Sequence, residues 1–436
     1  MFLQNAIEKR IDGDNPVKVA LIGAGKFGSM FLSQVPSTKG IEVLVIADLK
    51  PDNAVKACKN VGWSDDLINK TKFVDTGADA IKLNEVEVVI EATGFPAAGI
   101  EHARQAFQNG KHIIMVNVEA DVLAGAALAK EANSVGVVYS MAYGDQPALT
   151  AEIVEWARAS GFNVTSAGKG TRYQPIYHKS SPDTVWDYYG LTHEEARKAG
   201  MNPKMFNSFL DGTKSGLEMA AIANACDLEV PTNGLLFPPC GMDDLANILK
   251  PLEFGGLLEK NGQVEVVSSL ERDGRPVFKD LRWGVYAVLE APNDYAASCF
   301  KQYGMNTDDT GKYSAMYKPF HLIGMELNIS VFSAALLNQA TGQTKKFTGD
   351  VVSTTKKNLK KSEILDGEGG ATVWGKLVPS KLSLSMEALP IGLAHGIKLK
   401  NEIEENKIIT WNDVDFSSND PAISYRRKME KDFKKS

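Results

Sequence analysis

A stripe of polar side chains crosses an otherwise apolar stretch, residues 206–225, which we predict to be one helix. Lys214, Ser215 and Glu218 follow Asp211 at three, four and seven residues, so all four share one helix face. A lysine held between carboxylates keeps its charge and can stabilise negative charge on a substrate. Such a stripe is more often a solvent-exposed face, but the small and apolar residues around it favour one wall of a catalytic cleft.

Four cationic side chains lie close together in an irregular segment, residues 168–190, that follows a predicted strand. Lys169, Arg172, His178 and Lys179 fall within eleven residues, among four tyrosines, a tryptophan and two prolines. Lysine and arginine pair readily with phosphate or carboxylate groups. A single cation of this kind is usually a surface charge, but the cluster predicts that the protein binds an anionic substrate.

Two further positions are candidates for chemistry. Lys318 and His321 lie three residues apart and could act as an acid or an electrostatic clamp, although a lone histidine could equally be a buried imidazole. A predicted strand, residues 112–118, would deliver Asn117 and Glu119 to the edge of a sheet, where ligands bind in α/β folds. Glu119 is therefore a candidate functional carboxylate.

A glycine motif follows the β-branched run of residues 17–22. The sequence from Gly23 to Gly28 matches G-x-G-x-x-G, whose glycines let a pyrophosphate approach the backbone at a helix N-terminus. The second strand ends at Asp48, which would accept from a ribose 2′-hydroxyl and favours NAD, whereas Lys50 could pair with the 2′-phosphate of NADP. The predicted cofactor-binding residues are Gly23, Gly25, Lys26, Phe27, Gly28, Asp48, Thr93, Gly94 and Asn117.

The alternation of strands and helices predicts an α/β protein with an N-terminal doubly wound parallel sheet of the Rossmann type. We predict an NAD(P)-binding domain over residues 1–160 and an α/β catalytic, substrate-binding and dimerisation domain over residues 161–345. Short strands and glycine turns after residue 348 predict a small β-rich domain with a tail, residues 346–436. The lysine pairs at 356–357 and 360–361 are most simply a solvated surface.

Composition argues against several classes of protein. The net charge of −6 disfavours binding to nucleic acid or to an anionic membrane. No apolar run approaches the roughly 20 residues that a membrane helix needs. The four cysteines are far apart, which disfavours a disulfide framework or a zinc cluster. Together with an N-terminus unlike a signal peptide, these features predict a cytoplasmic enzyme.

Six motifs together carry a family resemblance. They read VALIGAGKFG, NVEADVLAG, MAYGDQPAL, AGKGTRYQPIYHKSSPDTVW, FNSFLDGTKSGLEMAAIANA and KPFHLIGMEL. The chain from Val17 to Asp415 resembles the homoserine-dehydrogenase-like oxidoreductases with a C-terminal SAF module. Among these it is most similar to the deoxyxylulose-phosphate-reductoisomerase-like (DRL) enzymes. It lacks the acidic motif expected around the catalytic lysine of true homoserine dehydrogenases.

The resemblance implies isomerisation of 1-deoxy-D-xylulose 5-phosphate and reduction to 2-C-methyl-D-erythritol 4-phosphate, an isoprenoid precursor, by a homodimer using NADP(H). That reaction needs a divalent cation, Mg²⁺ or Mn²⁺, and the candidate ligands are the carboxylates of Glu119, Asp211 and Glu218. The candidate catalytic residues are Lys214, Asp211, Glu218, Lys169 and Glu119. The candidate substrate-binding residues are Arg172, His178, Lys179, Ser215, Lys318 and His321.

Two other functions stay open from the sequence. The first is a homoserine-dehydrogenase-like NAD(P)-dependent dehydrogenase that acts on a small hydroxy acid or aldehyde without rearrangement. The second is a dinucleotide-binding regulatory or carrier protein whose SAF module binds a partner. Phosphate-binding cations within reach of the nicotinamide would favour the reductoisomerase over the plain dehydrogenase.

Overall fold

The computed structural model describes residues 3–434 of the chain. Helices and strands alternate through its first part. The elements are α1 (Gln4–Asp12), β1 (Val17–Ile22), α2 (Lys26–Gln34), β2 (Ile41–Ala47), α3 (Pro51–Asn60), α4 (Asp65–Lys70), β3 (Lys72–Val74), α5 (Gly77–Ile81), β4 (Val88–Glu91), α6 (Pro96–Gln108), β5 (His112–Met115), α7 (Val118–Ser134), β6 (Tyr139–Met141) and α8 (Gln146–Ala159).

The rest of the chain has longer irregular connections. Its middle part contains β7 (Asn163–Thr171), α9 (Val185–Tyr189), α10 (His193–Lys198), α11 (Pro203–Leu210), α12 (Thr213–Cys226), α13 (Leu245–Ile248), β8 (Gln263–Ser268), β9 (Val285–Glu290), α14 (Asp294–Gln302), β10 (Tyr313–Lys318) and α15 (Asn328–Leu337). The last part contains β11 (Gly349–Thr355), β12 (Val373–Pro379), α16 (Ser380–Met386), β13 (Lys398–Leu399), β14 (Val414–Asp415) and α17 (Pro421–Lys434).

Six parallel strands form the first sheet, in the order β3-β2-β1-β4-β5-β6. The central strands β1 and β4 are almost entirely buried and rich in valine and isoleucine, as a sheet covered on both faces requires. The strand order changes direction between β1 and β4, which is typical of dinucleotide-binding folds. The predicted α/β architecture with a doubly wound parallel sheet is confirmed.

A four-stranded mixed sheet, in the order β10-β9-β7-β8, forms a second centre. β7 pairs in parallel with β8 and antiparallel with β9. Helix α12 packs against β7 and β8, and also against the hairpin of β11 and β12. Thirteen of its fourteen residues are buried, because a helix with protein on several sides has little solvent contact.

The chain divides into two compact units. The first extends to Glu152 and includes His321–Lys345, and the second comprises Ile153–Phe320 and the segment that begins at Lys346. The β-rich C-terminal segment thus packs within the same unit as α12 and β7. The predicted division into three domains stays a prediction. None of the helices within residues 3–434 is long and apolar enough to cross a membrane.

The prediction of a single helix over residues 206–225 is wrong, because the helix is interrupted between α11 and α12. Gly212 has φ +93°, a left-handed conformation that glycine adopts without steric cost. The Asp211 carboxylate accepts a hydrogen bond from the Thr213 N–H at 2.8 Å. Asp211 therefore lies outside α12 and does not continue the helix face of Lys214.

The predicted strand over residues 112–118 is also shorter than expected. β5 ends at Met115, and α7 begins at Val118. Asn117 caps this helix, and its side-chain oxygen accepts from the Ala120 N–H at 3.1 Å. Glu119 therefore lies in the first turn of a helix rather than at the end of a strand, and it is 9 % exposed.

Candidate functional site

The turn between β1 and α2 has the geometry of a dinucleotide-binding loop. Gly23 has φ +95°, and a Cβ on it would lie 2.8 Å from the Ala92 carbonyl oxygen. A Cβ on Gly28 would lie 2.3 Å from the Gly23 oxygen, whereas nothing lies within 4 Å of one on Gly25. The glycines thus provide the tight turn, the close helix packing and the open backbone that a pyrophosphate needs. The first unit therefore fits a dinucleotide cofactor.

Asp48 lies beside this turn. Its carboxylate accepts from the Ala24 N–H at 3.2 Å and from the Lys50 N–H at 3.0 Å. These bonds fix the carboxylate where a ribose hydroxyl could bind, and its charge disfavours a 2′-phosphate. The Lys50 side chain is exposed, so the choice between NAD and NADP stays a prediction.

The loop after β4 carries the other predicted cofactor residues. Thr93 and Gly94 are exposed, and the Thr93 hydroxyl donates to the Glu91 carboxylate. The Asn117 amide donates to the Phe95 carbonyl at 3.0 Å. Asn117 therefore positions this loop as well as capping α7. Lys26 is exposed and Phe27 is half-buried at the start of α2.

In the second unit, the structure brings two predicted catalytic residues together. Lys169 on β7 donates a hydrogen bond from Nζ to Oε2 of Glu218 on α12. Their side chains are only 8 % and 5 % exposed. A buried ammonium beside a carboxylate can stabilise an oxyanion and can exchange a proton with a bound substrate. These two residues are the strongest candidates for acid–base chemistry.

Asp211 has a different partner, which the sequence analysis missed. Lys356 Nζ lies 2.7 Å from Asp211 Oδ2 and also donates to the Ser180 and Gly370 carbonyl oxygens at 2.7 and 2.6 Å. The three protons of the ammonium therefore have three acceptors. The second Asp211 oxygen accepts from Thr213, as described above. Asp211 therefore fixes the start of α12.

The interpretation of Lys356 as part of a solvated surface is wrong. Its side chain is only 2 % exposed, whereas Lys357, Lys360 and Lys361 are exposed as predicted. Lys356 directly follows the fully buried strand β11, and this position places its side chain in the protein interior. The one available signal in the sequence was Asp211, because a buried carboxylate requires a cation or several donors.

His178 lies among protein groups that favour its neutral form. Its Nδ1 lies 2.7 Å from the Asp211 carbonyl oxygen, so Nδ1–H donates, and Nε2 lies 2.9 Å from the Tyr173 hydroxyl, which donates to it. Burial lowers the pKa of His178 below its ordinary value, against the opposing effect of Asp211. Both ring nitrogens are therefore engaged with protein groups.

The other cations of the predicted phosphate clamp have separate surroundings. Lys179 is exposed and pairs with Glu405 at 2.6 Å. Arg172 is half-buried, and its Nε donates to the Tyr177 hydroxyl at 3.4 Å. Neither contact resembles the joint coordination of one anion by four cations.

The remaining predicted site residues are distributed as follows. Lys214 is half-buried and Ser215 is buried, both in the first turn of α12. Lys318 ends β10, with its ammonium 5.1 Å from the centre of the Phe320 ring. His321 is half-buried, outside any helix or strand. Lys318 and His321 belong to different compact units.

The predicted metal ligands do not fit a cation site. Within residues 3–434, no group of three or more His, Cys, Asp or Glu side chains could hold a metal ion. Asp211 and Glu218 are each held by a lysine. A carboxylate that is already bound to an ammonium is a poor ligand for a hard divalent cation.

Two family descriptions match consecutive parts of the chain. “Homoserine dehydrogenase, NAD binding domain” matches residues 23–142, and “Oxidoreductase DRL, catalytic domain” matches residues 144–327. The chain thus combines an NAD-binding domain of the homoserine dehydrogenase type with a DRL-type oxidoreductase catalytic domain. The predicted resemblance is confirmed, and this DRL-type enzyme is an NAD(P)-dependent oxidoreductase. The SAF module has no match and stays a prediction.

Solved structures are similar to parts of the DRL-type chain. KijD10, a 3-ketoreductase from Actinomadura kijaniata in complex with NADP, is 16 % identical, with 37 % of this chain and 50 % of that chain covered and a TM-score of 0.26. Myo-inositol dehydrogenase from Lactobacillus casei is 15 % identical, with 39 % and 50 % covered and a TM-score of 0.30. The chain spans about half the length of these structures. No curated protein matches it.

Proposed function

We propose that this protein is an NADPH-dependent reductoisomerase that converts 1-deoxy-D-xylulose 5-phosphate to 2-C-methyl-D-erythritol 4-phosphate, an isoprenoid precursor. The observation that carries the proposal is the match to the DRL catalytic domain over residues 144–327. That range contains the buried pair of Lys169 and Glu218. The proposal also includes a homodimer, which size-exclusion chromatography with light scattering would test.

Lys169 is the group that handles negative charge in this proposal. The rearrangement breaks one carbon–carbon bond and forms another, and it passes through states with negative charge on a substrate oxygen. A buried ammonium stabilises that charge more strongly than water does. Glu218 accepts the hydrogen bond from Lys169 Nζ and orients the ammonium. The bound nicotinamide would supply the hydride that reduces the rearranged aldehyde, and Lys169 donates the proton that the new alcohol oxygen needs.

Lys214 is the second cation of the proposed cleft. It lies one turn before Glu218 on α12, and residues four apart on a helix are neighbours. We assign it to binding of a substrate oxygen rather than to proton transfer. The proposal routes no step through a divalent cation, because Asp211 and Glu218 are committed to lysines.

The direct test is to incubate the purified protein with NADPH, the substrate and Mg²⁺, Mn²⁺ or Co²⁺, or with none of them. The proposal expects oxidation of NADPH that depends on the substrate. NADH is a parallel arm, because Asp48 leaves the cofactor preference open. Absence of oxidation with both cofactors under every metal condition would refute the proposal.

A plain dehydrogenase is the second candidate. The match of residues 23–142 to the homoserine dehydrogenase NAD-binding domain favours it. That function predicts reduction of NAD⁺ or NADP⁺ by homoserine or another small hydroxy acid, with no change of the carbon skeleton. A panel of such acids would separate the two candidates, because the reductoisomerase should leave all of them unoxidised.

A further inference from the structure

A cavity of about 220 Å³ lies within the second compact unit. Three segments form its wall: the break between α11 and α12, the loop around Asn233, and strand β12. Its lining includes His178, Phe237, Trp374 and Lys376. Of these four residues, only His178 was predicted from the sequence to have a role.

Within the described part of the chain, the cavity wall includes a cationic side chain but no carboxylate. Among the described residues that line it, Lys376 is the one lysine or arginine, and none is an aspartate or glutamate. Lys376 is half-buried on β12 and forms no ion pair with any residue within 3–434. A lysine with no carboxylate beside it can pair with an anion that enters the cavity.

The walls around Lys376 are held rigidly. Phe237 has φ +51°, and its N–H donates to the buried Glu265 carboxylate at 3.3 Å. Arg272 donates to the Phe237 carbonyl oxygen at 2.9 Å. The Phe237 ring stacks on Tyr173, which in turn donates to His178. A preorganised wall of this kind lowers the ordering cost of binding.

Trp374 closes the opposite side. Its ring lies 4.1 Å from that of His178, centre to centre, and both ring nitrogens of His178 are already bonded. His178 therefore contributes shape rather than charge. Lys376 is left as the cationic group of the cavity.

We propose that this cavity binds the phosphate group of the substrate, with Lys376 as the cation. The identity of the substrate rests on the proposed function, whereas binding of a phosphate dianion does not. Lysine binds phosphate as a point charge and needs no bidentate geometry. The cavity thus replaces the predicted clamp of Lys169, Arg172, His178 and Lys179, and it gives the C-terminal segment a role in substrate binding.

Binding of inorganic phosphate to the full-length protein tests this assignment. Titration should change tryptophan fluorescence in the wild type, and the W374F variant should lose most of that change. The K376M variant should bind phosphate at least about tenfold more weakly, which corresponds to about 1.4 kcal/mol. The K381M variant is the matched control, because Lys381 is an exposed lysine on the adjoining helix α16. K376Q provides a second neutral variant if K376M does not fold.

The outcomes test the phosphate-binding role of the cavity independently of the proposed reaction. Loss of phosphate binding in K376M but not in K381M supports the assignment, even if the proposed substrate is never turned over. Substrate turnover with the same KM in K376M, K381M and the wild type would overturn it and leave the proposed function standing. Absence of phosphate binding to the wild type at millimolar concentration would also overturn it.

Discussion

Replacement of Lys356 by methionine should destabilise the second unit severely. Methionine fills a similar volume but leaves the Asp211 carboxylate, which is 0 % exposed, without its ammonium. Removal of one partner of a buried ion pair typically costs about 3–5 kcal/mol, because the other charge stays buried and unpaired. The Ser180 and Gly370 oxygens also lose a donor, but both still accept from the Asn207 amide at 3.2 and 3.3 Å.

The loss of stability in K356M can therefore be attributed to the unpaired charge of Asp211. If Asp211 causes most of the loss, the double variant K356M/D211N should recover most of it, because asparagine is uncharged and its oxygen can still accept from Thr213. We expect a loss of about 3–5 kcal/mol for K356M and less than about 2 kcal/mol for the double variant.

Urea unfolding monitored by tryptophan fluorescence measures these differences. K361M is the control, because Lys361 belongs to the same lysine-rich run but is exposed. Surface substitutions of this kind change stability by about 0.5 kcal/mol or less. Unfolding of K356M at the same urea concentration as K361M, or no recovery in K356M/D211N, would show that the unpaired Asp211 charge does not cause the loss.

Three further predictions concern other parts of the protein. Burial raises the pKa of Glu265 to about 7 from 4.5. The stabilising contribution of this side chain is therefore complete below pH 4.5 and is lost as the pH rises through 7. In urea unfolding, the E265Q variant should lose about 3 kcal/mol of the change in free energy of unfolding between pH 5 and 8. Arg426 is 0 % exposed and lies 2.5 Å from Asp350 and 2.9 Å from Glu430. The R426M variant should therefore lose about 3–5 kcal/mol of the free energy of unfolding. Limited proteolysis should cleave α17 in R426M but not in the control variant K431M. The D48A variant should shift the ratio of kcat/KM values towards NADPH over NADH by about tenfold or more, because removal of a nearby charge is worth about 1–4 kcal/mol. An unchanged ratio in steady-state kinetics would contradict the placement of Asp48 beside the cofactor ribose.

The first unit could be predicted from the sequence because its signals are local. The G-x-G-x-x-G turn follows β1 directly, and Asp48, whose carboxylate accepts from the Ala24 N–H in this turn, directly follows the next strand. The same local reasoning failed at Asp211 and Gly212. A glycine within an otherwise helical pattern carries no sign of whether the chain continues the helix or adopts a left-handed turn.

The candidate site of the second unit depends on pairs that are distant in sequence. Lys169 and Glu218 are 49 residues apart, and Lys356 and Asp211 are 145 apart. Spacing along one helix cannot indicate which cation will face which carboxylate. The charge state of His178 was unpredictable for a related reason, because burial in the folded unit sets it. The residue types were therefore recognisable, whereas their partners were not.

The carbon skeleton of the product distinguishes a reductoisomerase from a plain reductase. ¹³C-labelled 1-deoxy-D-xylulose 5-phosphate, incubated with the enzyme and reduced cofactor, can be followed by NMR. The reductoisomerase proposal predicts a branched product with a new carbon–carbon bond, and a loss of about 10²-fold or more in its rate of formation in K169M. An unbranched reduced product, or equal rates in K169M and the wild type, would contradict the account.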